Sequence, residues 1–151
     1  MTVLVLDNSV AMRGCFDSGK HPYADSILRQ LAAPGGEAVV LILWRSKGSS
    51  VLARAEITGQ LTAKSATEFL DLTGKLPVSV DDEASRRILS DVHRLAVSYR
   101  LTSYDAAYLE ITLRRGLPLA TVDAEPIKAC AGAGVGVLKP RLTPPARPFS
   151  R

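Results

Sequence analysis

Apolar residues follow two rhythms along this chain, and their alternation predicts the fold. Apolar runs at 2–6 and 38–43 have the pattern of strands buried on both faces of a parallel sheet, and 76–80, 117–122 and 135–138 read as further short strands. Between them, apolar positions recur at helical spacing. The first such segment, 22–33, places Ile27, Leu28 and Leu31 on one face and stops at Pro34-Gly35-Gly36. A second, 44–57, carries Trp44, Gly48, Val51, Leu52 and Ala55, but Gly48-Ser49-Ser50 makes it the weakest-coded helix, since Gly costs about 1 kcal/mol against Ala. Thr62 caps a third helix that runs to about Gly74 and buries Ala66, Phe69 and Leu70. Asp81-Asp82-Glu83 opens a fourth, with Ile88, Leu89, Val92, Leu95 and Ala96 facing inward and the acids suited to the helix dipole. Thr102 caps a fifth that ends at Gly116, and 124–134 forms a short sixth. Asp7-Asn8-Ser9 reads as the turn that ends the first strand. Strands alternating with helices predict an α/β fold, an α/β/α sandwich around a central, mainly parallel sheet of about five strands.

Composition narrows this picture without redirecting it. With 151 residues, 46% of them apolar and 23% charged, one domain over 1–138 accommodates every predicted element. Residues 139–151 hold four prolines and four cations, which predicts a disordered basic tail. Its Pro145-Ala146-Arg147-Pro148 matches a PxxP pattern, but a plain solvated tail is much the better account. The formal net charge of +4 permits a polyanionic partner but lies largely in that tail. Cys15 and Cys130 are too few for a disulfide scaffold. The apolar start lacks a basic leader, and no run approaches the roughly eighteen apolar residues of a membrane span. The expectation is a cytoplasmic protein with reduced thiols and no membrane contact.

Chemistry enters with three aspartates. Asp7 ends the first strand, Asp123 ends the fourth, and Asp105 lies in the first turn of the helix between them. Open parallel sheets place their sites at the carboxyl ends of strands, so the three are expected to converge. Each also has a local use: Asp105 in a capping box with Thr102, Asp123 as a helix cap, Asp7 in a turn. If they converge, they repel, by about 4 kcal/mol for two unit charges 4 Å apart at an effective dielectric near 20. Hard oxygen ligands of this kind suit magnesium, or manganese. Such an ion activates water and neutralises charge on a phosphodiester under attack.

Val-Leu-Asp-Asn-Ser near the start, Leu-Trp-Arg after the second strand, Leu-Thr-Ser-Tyr-Asp-Ala-Ala-Tyr-Leu-Glu at 101–110 and Leu-Ala-Thr-Val-Asp at 119–123 resemble the PIN domain, in particular the VapC-type toxins of bacterial toxin–antitoxin pairs. The resemblance spans about 2–138. It implies a PIN-like fold and a magnesium-dependent endoribonuclease, usually a homodimer, that acts on RNA and is inhibited by a small antitoxin. Asp7, Asp105 and Asp123 fall on family acids. Ser9 falls where the family often has a small hydroxyl residue, and Thr121 joins it as a supporting residue behind the acids.

One position departs. Three residues beyond the tryptophan the family pattern has a glutamate, and here that residue is Lys47. Glu56 does not replace it, because nine further residues of helix amount to about 900° and the opposite face. If the Lys47 ammonium enters the cleft and pairs with the aspartates, it takes the place of the metal and leaves a catalytically impaired module that still binds an antitoxin. If it swings to solvent on its long stem, three acids remain for magnesium. A third reading, a phosphoacceptor signalling domain, needs an acidic pair directly after the first strand. Asp7 is followed by Asn8, and Asp81-Asp82 comes at a later strand end. Arg13, Arg45, Arg86, Arg87, Arg114 and Arg115 offer cations for an RNA path, or are simply solvated.

Overall fold

The computed structural model describes residues 2–17 and 19–137. Its centre is β1, Val3–Leu6, in which Leu4, Val5 and Leu6 are fully buried, as the unbroken apolar run requires. β2 is Glu37–Val40, β3 Val78–Val80 and β4 Leu119–Ala120, in the order β3-β2-β1-β4 with every pairing parallel. The register sets Leu4 beside Ala38, Val5 beside Leu119 and Ala38 beside Val78.

Eight α-helices are described: α1 Asn8–Phe16, α2 Pro22–Ala32, α3 Trp44–Ile57, α4 Ala63–Gly74, α5 Asp82–Arg86, α6 His93–Tyr99, α7 Ser103–Arg115 and α8 Ala124–Ala133. They form two packing groups. α1 contacts α2 and α3, and α3 contacts α4, while α7 contacts α5, α6 and α8 and lies on β1 and β4. The result is an α/β/α arrangement around a parallel sheet whose β1 and β2 are largely buried and whose β3 is partly exposed. No helix among the described residues is long and apolar enough to cross a membrane.

Caps fix the helices where the sequence announces them. Thr102 Oγ1 accepts from the Asp105 amide at 3.2 Å, and α7 stops at Gly116 with φ +64°. Thr62 Oγ1 accepts from the Ser65 amide at 3.1 Å to start α4.

The structure corrects the expected layout in several places. The described sheet has four strands rather than about five, because the segment from Val135 contributes a single bridge, Leu119 to Val137. Leu138 and the predicted basic tail at 139–151 lie outside the described residues. β2 ends at Val40 rather than Leu43, since its pairing ends with Val39 opposite Val5 of β1 and Val40 opposite Val80 of β3, and Ile42 and Leu43 emerge half exposed. α1 was expected as a turn. The segment expected as one helix from Asp81 is three pieces, with a π-helical turn, Ile88–Val92, between α5 and α6. The wider turn keeps Val92 buried and rotates Leu89 outward to 95% exposure. Leu70, expected inside, is also largely exposed. Gly48 in α3 has a packing reason: a Cβ there would stand 3.1 Å from the Asn8 amide nitrogen and 3.6 Å from Met12 Cε, so its absence lets α3 approach α1. Asn8 Nδ2 donates to the Trp44 carbonyl at 3.2 Å across that contact.

Candidate active site at the switch of the sheet

Chain order reverses direction across this sheet between β1 and β4. β2 and β3 are added on one side of β1, and β4 returns to the other. In open parallel sheets such a reversal sets a crevice at the carboxyl ends of the two strands on either side of it, here β1 and β4. Asp7 leaves β1 there, its amide donating to the Ala120 carbonyl of β4 at 3.0 Å, and Asp123 follows β4 three residues after Ala120. α7 delivers Asp105 in its first turn.

Asp7 is only 3% exposed and has no guanidinium or ammonium partner within ion-pair distance among the described residues. Two hydroxyls serve it instead. Ser9 Oγ donates to Asp7 Oδ2 at 2.8 Å, and Thr121 Oγ1 donates to the same oxygen at 2.7 Å. The hydroxyls are tied in turn: Ser9 Oγ accepts from the Val122 amide at 3.2 Å, and Thr121 Oγ1 accepts from the Asp123 amide at 3.1 Å. This small lattice joins the ends of β1 and β4 and presents the Asp7 carboxylate in one orientation.

Asp123 is the residue at the N-cap of α8, with no side-chain cap bond, and the Asp7 charge acts on its carboxyl. Burial, the Asp7 charge, the hydrogen bond with Asp7 and the Asp105 charge push Asp123 up to about 6, against the pull of Arg13. Burial and the Asp7 charge also raise Asp105, while the Thr102 hydroxyl and the Lys47 charge oppose that rise. The local alternatives are therefore insufficient: Thr102 caps α7 through the Asp105 backbone, and no reciprocal bond from the Asp105 carboxylate to the Thr102 amide is present among the described residues. The structure ties Asp7, Ser9 and Thr121 together by hydrogen bonds and sets Asp123 and Asp105 near enough for the Asp7 charge to act on both.

Lys47 is exposed, as expected of a side chain that does not enter the cleft. Its ammonium lies over the Tyr104 ring, 3.6 Å from the centroid. Its charge reaches Asp105, yet among the described residues no ion pair joins it to any of the three aspartates. Tyr104 is the residue that the sequence reading left without a role. Its ring meets Tyr108 edge-on with centroids 5.2 Å apart, and the two hydroxyls are 3.0 Å apart. The available signal was the spacing of four that puts both tyrosines on the Asp105 side of α7. Burial and the nearby aspartates push the Tyr104 phenol up to about 12, despite the Tyr108 hydrogen bond.

In kind, these donors fit a hard divalent cation: carboxylate oxygens with unrelieved mutual repulsion and hydroxyl support behind them. In spacing they are open, since among the described residues no three acidic, histidine or cysteine side chains form a ready metal-holding group.

A second set of acids contrasts with the first. Asp81, at the end of β3, is 1% exposed and accepts from Arg114 and Arg115, each at 2.7 Å, as well as from the Ala84 amide at 2.9 Å. Glu110 accepts from Arg114 at 2.7 Å. Asp81 thus caps α5 and fastens it to α7. Cys15 and Cys130 are free thiols raised by burial.

No family model and no curated protein matches the chain. Among solved structures, it is similar to the crystal structure of PAE2754 from Pyrobaculum aerophilum, with a TM-score of 0.62 and 21% identity over 85% of this chain and 79% of that one. At that identity the likeness establishes a shared fold, an α/β sandwich built around a parallel sheet.

Proposed function

We propose that this protein is a magnesium-dependent endoribonuclease of the toxin type, which cleaves RNA phosphodiester bonds with a metal-activated water. The observation that carries the reading is the buried Asp7 carboxylate, oriented by Ser9 and Thr121, pressed against Asp123 and without a cation of its own. A buried carboxylate that faces other carboxylates calls for a counter-charge from outside the chain. Asp7, Asp105 and Asp123 would hold the magnesium, which when bound supplies a more acidic water and relief of charge on the phosphate. Ser9 and Thr121 keep the Asp7 carboxylate from turning away, and the three acids admit a nucleic-acid phosphate only once their own charge is offset. The resemblance to VapC-type toxins supports RNA as substrate and a small antitoxin and a second copy of the chain as partners.

Incubation of the purified protein with structured RNA, with magnesium and with chelator, tests this. Magnesium-dependent cleavage that vanishes in Asp7→Asn is the expected result. Equal RNA loss in both conditions, or none in either, overturns it.

Lys47 favours a second reading, a catalytically impaired binding module. Its ammonium already offsets part of the acid charge at Asp105. Calorimetry then finds no magnesium binding by the natural protein and a gain in Lys47→Glu. Absence of that gain removes the second reading.

A further inference from the structure

Among the described residues, the arginines around the second acid set are committed to carboxylates: Arg87 to Glu83 and Asp91, Arg94 to Asp91, Arg114 to Asp81 and Glu110, Arg115 to Asp81. Arg13, near Asp123, is paired with Asp17 at 3.3 Å. Lys47 is held differently. Its ammonium rests on a ring face 3.6 Å away, and that ring is fixed from behind by its edge-on contact and hydroxyl contact with buried Tyr108. A cation on a π face uses its charge but leaves N–H donors free, since an ammonium carries three and the ring offers no lone pair. The side chain is exposed, at the rim of the crevice beside Asp105.

Three carboxylates, a divalent cation and one ammonium sum to no net charge, so a phosphate approaching Lys47 meets no net repulsion. We propose that Lys47, seated on the Tyr104 ring, is a positioning residue that grips a backbone phosphate of single-stranded RNA as the strand crosses the Asp7, Asp105 and Asp123 crevice. This rests on the nuclease reading and adds the substrate contact to it. The tyrosine ring sets where the ammonium stands, so the phosphate is presented at a fixed distance from the acids rather than anywhere along a flexible stem.

The test is fluorescence anisotropy with a fluorescein-labelled single-stranded RNA oligonucleotide, in chelator so that the probe stays intact, over a series of potassium chloride concentrations. Lys47→Ala, at an exposed position, should bind roughly fivefold more weakly at low salt. Its log-log salt slope should fall by about 0.7, the share of one phosphate contact on a single strand. Lys47→Arg and Tyr104→Phe, which keep the cation and the ring, should bind as the natural protein does, and Tyr104→Leu should lose part of the affinity. Unchanged affinity and slope in Lys47→Ala overturn the proposal, and so does a Lys47→Arg variant as weak as Lys47→Ala. A Lys47-dependent slope with RNA left uncut in magnesium keeps this contact and sinks the nuclease reading. Magnesium-dependent cleavage with a Lys47-independent slope does the opposite.

Discussion

Asp7 and Asp81 occupy corresponding places in the sheet and have opposite surroundings. Each follows a parallel strand, each is almost wholly buried, and each stands at the start of a helix. Asp81 meets two guanidinium groups and a helix amide, which outweigh the effect of burial and hold its carboxyl below the usual range. Asp7 meets two hydroxyls and two other acids, and the cost of that crowding is visible in its neighbours, Asp123 and Asp105, both raised. The same residue type at the same topological station is structural where the chain supplies the counter-charge. Where the chain withholds it, the site is prepared for something from outside.

That contrast is broken or sharpened most strongly by neutralising each acid. Asp7→Asn should cut magnesium-dependent RNA cleavage at least about a hundredfold, while urea unfolding stays within about 1 kcal/mol of the natural protein, because an amide oxygen still accepts from Ser9 and Thr121. Asp81→Asn should do the reverse, leaving cleavage per folded molecule intact and costing about 2 kcal/mol of stability. The full penalty for orphaning buried charge does not apply, because Arg114 and Arg115 retain 25% and 39% of their side-chain exposure. If both variants lose stability equally and neither loses cleavage, the two acids are of one kind after all. Next in size, Ser9→Ala and Thr121→Val should each lower magnesium affinity or cleavage about tenfold, measured by calorimetry and by rate.

Asp123, the neighbour of Asp7, and Asp81 also differ in the sign of their pH dependence. Asp123 holds its proton to about 6 in the fold against an ordinary value of 3.8, so its contribution is fully present below 3.8 and is lost as pH rises through about 6. Asp81 is lowered from 3.8, so its contribution is present above that value and lost as pH falls through the lowered one. Without magnesium, Asp123→Asn should therefore gain on the natural protein between pH 4 and pH 7. The gain should be about 1 kcal/mol, since Asp123 is exposed and solvent screens it. Urea midpoints that run parallel across that window would remove the repulsion from the account. The smallest effect expected is Gly48→Ala, within about 0.5 kcal/mol of neutral. Its helix propensity gain is offset by pressing on the Asn8 amide, which is held by the Trp44 carbonyl. A clear stabilisation would mean that α1 and α3 have room to part.

The chain's own pattern determined a great deal here. Unbroken apolar runs fixed which strands are buried on both faces, caps at Thr62, Thr102 and Gly116 fixed where helices begin and end, and strand-end positions nominated Asp7 and Asp123. These are legible because they depend on neighbours close in sequence. The tertiary structure alone decided what depends on partners far along the chain. It set the end of β2 where its neighbours ran out, turned Leu89 outward through a π-helical turn, and gave Gly48 its use against Asn8. It also gave Asp81 its arginines and Lys47 its tyrosine, two different fates for charge that local spacing does not distinguish, because both sets of partners arrive from α7, far along the chain from either residue.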